Sequence, residues 1–134
     1  MSNTKAVGVA YLDPEFSTCY MTEELGYALA AQGSVTQGSS KSTGVTLNNS
    51  MGQITMNGAT LNTLTNVTFT LTNNLISAKD VVILTVGAGA TSGAYNCWIS
   101  SMSVGTCTIT LRNISGSNLS EAVVINFAII HGAT

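Results

Sequence analysis

Charge is what this sequence lacks most. Of 134 residues only four are Lys or Arg and six are Asp or Glu. The four cations, Lys5, Lys41, Lys79 and Arg112, stand singly along the chain. Neutralising a phosphate backbone takes a cluster of such groups, so the composition argues against a nucleic-acid partner. Long hydrophobic runs are missing as well. The longest, Ala122 to Ile130, is interrupted by Asn126 and reaches about half the ~20 residues of a spanning helix, so no membrane partner is expected.

Metal ligands are equally scarce. His131 is the one histidine, and Cys19, Cys97 and Cys107 are too widely separated for any familiar zinc spacing. The opening MSNTKAVGVAYLDPEF has neither the basic segment nor the apolar core of a secretory signal. Reduced thiols are therefore expected, with Cys107 a small core residue and a Cys97–Cys107 pair left open. No acid or nucleophile neighbours His131 in sequence, and nothing in the spacing brings Asp80 to Glu121 across a cleft. No catalytic residue and no cofactor is expected.

What the chain has instead is Ser, Thr, Asn and Gly, with a mean hydropathy of +0.34. From Ser34 to Met56 the β-branched residues Val35, Thr36, Thr43, Val45, Thr46, Ile54 and Thr55 alternate with turn-forming Gly38, Gly44, Asn48, Asn49 and Gly52. Everything after repeats that texture. The reading divides the chain into an N-terminal arm, residues 1–33, and a β domain, residues 34–134.

In the arm, Asp13-Pro14 breaks the chain, and Thr22-Glu23-Glu24 resembles a helix start, predicting a short helix that ends at Gly33. Tyr11, Phe16, Tyr20 and Tyr27 form an aromatic set too small for a core of its own. In the β domain, the first strand is expected at Val35–Gln37. Val45–Leu47 and Ile54–Met56 are expected to form a hairpin about Asn48-Asn49-Ser50. Val67, Phe69 and Leu71 alternate with Thr68, Thr70 and Thr72, which places a threonine ladder on one face. Val81–Val86 and Glu121–His131 read as strands buried on both faces, the second central, and Cys107 to Leu111 as half-buried. About eight strands with no crossover helices predict an all-β fold, an antiparallel β-sandwich or jelly-roll-like domain.

Two stretches imitate phosphate loops. Gly87 to Gly93 spaces its glycines as G-x-G-x-x-x-G and leads into strand-like Tyr95-Asn96-Cys97-Trp98 rather than a helix. Gly38-Ser39-Ser40-Lys41-Ser42-Thr43 lacks the glycine before its lysine. Both read as turns.

The stretches SVTQGSSKSTGVTLNNSMGQITMNGATL, VTFTLTNNLISAKDVVILTV and TCTITLRNISGSNLSEAVVINFAIIHGA resemble the capsid decoration, or cement, proteins of tailed phages of the cyanophage type. The likeness covers roughly residues 33 to 133. It implies a structural virion protein, made in the host cytoplasm and seated on the capsid exterior. Its implied partner is the major capsid protein, and its implied assembly a homotrimer. The arm is the expected capsid tether, through Tyr11, Leu12, Phe16, Tyr20 and Met21. The alternative from another class is a receptor- or carbohydrate-binding module of a tail fibre, for which Tyr95 and Trp98 are the only candidate aromatic platform.

Overall fold

The computed structural model describes residues 17–132. Eight strands follow a single 3₁₀ turn at Leu29–Ala31: β1 Gln32–Thr36, β2 Val45–Thr46, β3 Met51–Thr55, β4 Asn66–Thr72, β5 Val81–Ala88, β6 Tyr95–Ser103, β7 Thr106–Asn113 and β8 Val124–Ile130. They form two four-stranded sheets, β1-β3-β8-β5 and β2-β4-β7-β6, packed as an all-β sandwich.

Period-two alternation decides which side chains meet between the sheets. From the first sheet Ile54, Val82, Ile125, Phe127 and Ile129 point inward, and from the second Val45, Phe69, Leu71, Cys107, Ile109 and Leu111. Met56, Leu61, Ile76 and Val123, from connecting segments, complete the same cluster. Each of these apolar side chains contributes about 1.5–3 kcal/mol on burial. Gly52 is required inside it, because a Cβ there would lie 2.6 Å from Leu47 Cδ2 and 2.9 Å from Phe127 Cε1. The two glycines of the bend after β5, Gly89 and Gly93, take φ of +65° and +72°, a backbone region that disfavours a Cβ.

Several expectations are corrected. The predicted hairpin does not form, because Val45–Thr46 and Met51–Thr55 belong to different sheets. The chain crosses the sandwich at Leu47–Ser50, and both strands then pair in parallel, β1 with β3 and β2 with β4. These two parallel pairs set the sandwich apart from an all-antiparallel jelly roll. The first strand begins at Gln32 rather than Val35, so it starts inside the segment assigned to the arm. No helix follows Thr22, because the acids Glu23 and Glu24 lead into Leu25 and Gly26 without an apolar stripe to bury.

Strand β8 is central, as expected, yet its outer face is only partly covered. Strand β5 is an edge, and its alternate residues Val81 and Ile83 are exposed. The apolar run there, broken only by Thr85, reflects a sheet with apolar residues on its outside as well as its inside. The cysteines are free. Register places Cys97 opposite Leu111 and Cys107 opposite Met102, so the two thiols stand several residues apart along neighbouring strands. Burial pushes the Cys107 thiol up to about 11 and raises Cys97 as well. Mass spectrometry after brief iodoacetamide treatment of the folded protein should find Cys19 alkylated first, Cys97 slowly, and Cys107 only after unfolding.

Candidate functional site: two outer faces and an overlying arm

The outside of the second sheet is a grid of hydroxyl groups. Thr68, Thr70 and Thr72 of β4 stand directly opposite Thr110, Thr108 and Thr106 of β7. Neighbouring hydroxyls bond to one another, with Thr68 to Thr110 at 3.0 Å, Ser100 to Thr110 at 2.9 Å and Ser101 to Thr108 at 2.8 Å. The threonine ladder read from the sequence is therefore real. Trp98 lies beside Thr110 on this face and is 36% exposed. Tyr95 sits on the opposite side of β6 and packs against the core, its hydroxyl enclosed. Burial, with the Glu121 carboxylate nearby, raises its pKa far above the usual phenol value. The expected platform of Tyr95 and Trp98 does not form, because residues three apart on a strand face opposite ways.

The outside of the first sheet is different in kind. Across β3, β8 and β5, Met51, Ala128 and Ile83 stand in one row, with Ile130 and Val81 paired beside them. Small Ala128 between two larger neighbours leaves a furrow. The segment before β1 lies over its end, and the Tyr27 hydroxyl donates to the Ile129 carbonyl. Leu25, Gly26 and Tyr27 join Met51, Ile83, Ala128, Ile130 and His131 around an apolar cleft of about 540 Å³. Further along the furrow the face turns polar at Gln53, Asn126 and Thr85.

Within the described part of the arm, four large side chains face solvent. Tyr20 is 89% exposed, Met21 53%, and Leu25 and Leu29 85% each. Of the residues expected to contact a capsid, Tyr20 and Met21 are thus available, while Tyr11, Leu12 and Phe16 lie outside the described residues.

The ionisable groups act as pins. Lys41, expected on a surface turn, is buried, and its ammonium donates to the carbonyls of Asn57 and Glu121. Burial lowers its pKa, and the negative charge of Glu121 acts against that shift. Glu121 in turn accepts from the Thr91 hydroxyl at 2.6 Å and the Thr91 amide at 3.1 Å, which hold its carboxyl below the usual range. Asp80 and Glu121 do stay apart, at opposite ends of the antiparallel β5–β8 pair. Asp80 instead accepts from Ser77 through both amide and hydroxyl, from the Gly132 amide at 3.0 Å, and contacts His131 Nδ1 at 3.0 Å. The Ser77 amide is the largest cause of its strongly depressed pKa. His131 thus has an acid beside it that sequence proximity hid, since Asp80 lies 51 residues away.

Among the described residues no three His, Cys, Asp or Glu side chains come together as a metal would need. The Asp80–His131 pair has no nucleophile among its hydrogen-bonded neighbours beyond Ser77, whose hydroxyl is committed to Asp80. What the arrangement offers is surface: one hydroxyl grid, one apolar furrow, and an arm bearing uncovered apolar side chains. Comparison with protein families, curated proteins and solved structures found no match to this chain.

Proposed function

We propose that this chain is a structural virion protein, a capsid decoration protein that binds the outside of a phage head and stabilises contacts between major capsid proteins, acting as a homotrimer. The observation that carries this reading is the arm, which sets Tyr20, Met21, Leu25 and Leu29 in solvent beside a sheet face that is itself apolar. Side chains of this kind gain several kcal/mol only when a partner covers them. The sequence likeness described above supplies the identity of that partner. The interlocked loops, pinned by Lys41, Asp80 and Glu121, suit a module that must stay rigid on a particle.

Deleting residues 1–24 is the test. The truncated protein should still unfold cooperatively, and its occupancy on purified phage heads, read by gel densitometry or cryo-electron microscopy, should fall roughly tenfold or more. Unchanged occupancy would overturn the tether.

A tail-fibre glycan module is the second reading, and Trp98 on its hydroxyl-rich face favours it. An indole exposed among hydroxyls suits the apolar face and rim of a pyranose ring. Binding of host polysaccharide with no binding to heads would select this reading instead.

A further inference from the structure

The apolar cleft on the first sheet and the exposed arm are two halves of one contact, and they belong to the same chain. We infer that the cleft of one molecule receives the Tyr20–Glu24 stretch of a second copy. It rests on the homotrimer part of the proposed function and names the contact that joins its copies: Tyr20 and Met21 then face a second copy, while exposed Leu29 remains for the capsid.

Three observations meet here. First, the cleft already accepts this kind of segment: Leu25 and Tyr27 line it, and the Tyr27 hydroxyl reaches the Ile129 carbonyl. Its remaining space, about 540 Å³, is walled by Met51, Ile83, Ala128 and Ile130 and holds nothing from the described residues. Second, Tyr20 and Met21 are largely exposed, so the apolar groups suited to that space find no cover among the described residues of their own molecule.

The third is charge. Glu23 and Glu24 follow Met21 directly, and among the described residues neither forms an ion pair. At the cleft's end stand His131 and, against Gly132, exposed Lys79. Asp80 lies there too, but its carboxylate is taken up by Ser77, Gly132 and His131. The one exposed lysine of the described residues thus has its backbone and Cβ beside the residue that follows His131 at the cleft's end, and their one adjacent pair of acids sits on the arm. An arm of one copy entering the cleft of the next brings Tyr20 and Met21 onto the apolar wall and the two glutamates toward Lys79. Such a contact joins unlike surfaces, so it runs head to tail and closes into a ring where the rotation permits.

Charge reversal on the full chain tests this, with assembly measured by sedimentation velocity across a concentration series at low salt. The native protein should associate. Lys79→Glu should weaken association roughly tenfold, and Glu23→Lys with Glu24→Lys by a similar factor. The triple variant carrying all three changes should recover most of the native affinity. Ile83→Glu in the cleft and Met21→Ser in the arm should each weaken it by roughly tenfold or more. Thermal unfolding of each variant checks that the sandwich is intact, and Met21→Ser alters only an exposed arm residue. A protein that stays monomeric at ~100 µM overturns the inference. So does an assembly that is indifferent to Lys79→Glu, or one that the triple variant fails to restore.

Discussion

Replacing Phe127 by alanine is expected to lower the unfolding free energy by about 3–5 kcal/mol. Phe127 is the largest of the fully enclosed side chains and lies on β8, the inner strand of its sheet, opposite Gly52 on β3 and Leu84 on β5. Its ring occupies the space that Gly52 leaves, with Leu47 closing the other side. Neither neighbour can collapse into the gap without dragging a strand, so most of the cavity cost remains. The reciprocal change, Gly52→Ala, should itself cost about 1–3 kcal/mol, because its Cβ meets Leu47 and Phe127 inside ordinary contact distance. Combined with Phe127→Leu, the alanine should cost less than the two changes added separately. Urea unfolding followed by Trp98 fluorescence measures all of these. Strict additivity would show that the glycine and the ring do not share the space.

Replacing Gln37 by alanine should cost about 2–4 kcal/mol, an effect out of proportion to a polar residue in a loop. Gln37 is buried, and its amide donates to the carbonyls of Lys41 at 2.9 Å and Thr43 at 2.8 Å while its oxygen accepts from the Asn57 amide at 3.0 Å. All three partners would lose their bond, the Lys41 carbonyl in a buried position and the other two in partly buried ones. Gln37→Glu is the sharper control: it keeps the bond to Asn57 but sets a carboxylate against two carbonyl oxygens. At neutral pH it should destabilise at least as much as alanine. A loss below about 0.5 kcal/mol for either variant would mean that water satisfies the freed groups.

Those two residues mark where sequence and structure part company. Phe127 was legible only as part of an apolar strand: Glu121–His131 read as buried on both faces, and the structure turns Val123, Ile125, Phe127 and Ile129 fully inward while most of the alternate residues are half-buried. The eight strands were legible from their apolar, β-branched runs and the turns between them. Their partners were not. Strand period says which side of a strand is apolar, and nothing in Leu47–Ser50 says that the chain crosses from one sheet to the other there. The turn Asn48-Asn49-Ser50 has hairpin composition, yet these residues serve as anchors: the Asn49 carbonyl accepts from buried Asn73, and the Asn48 side chain accepts from the Asn74 amide.

Lys41 was misjudged, and the inward turn of Gln37 passed over, because composition treats a polar side chain in a Gly- and Ser-rich stretch as solvated. Here both turn inward, and their partners at Asn57 and Glu121 are 20 and 80 residues distant. The same holds for Asn113, whose side chain bonds Leu61, Ser117 and Ser115 within the run LRNIS. Motifs that suggested kinship are thus, at the level of atoms, loop pins. Tyr20 and Met21 were legible as apolar residues without a core, but the furrow beside them was not. It needs Met51, Ala128 and Ile83 in one row, and that row exists only through pairing.

The placement of β8 has a consequence for how the molecule is made. The last of the eight strands to leave the ribosome is the one that sits between β3 and β5. Until Glu121–Ile130 has been synthesised, two strands of that sheet have open edges facing an empty slot, and Lys41 has no Glu121 carbonyl to hold. Nascent chains are therefore template-like along two edges until β8 emerges. Their near-absence of charge gives crowded polysomes little electrostatic protection against pairing with one another. Insertion of β8 closes both edges at once, which makes its arrival, rather than collapse of the strands before it, the step that commits this sandwich to the native state.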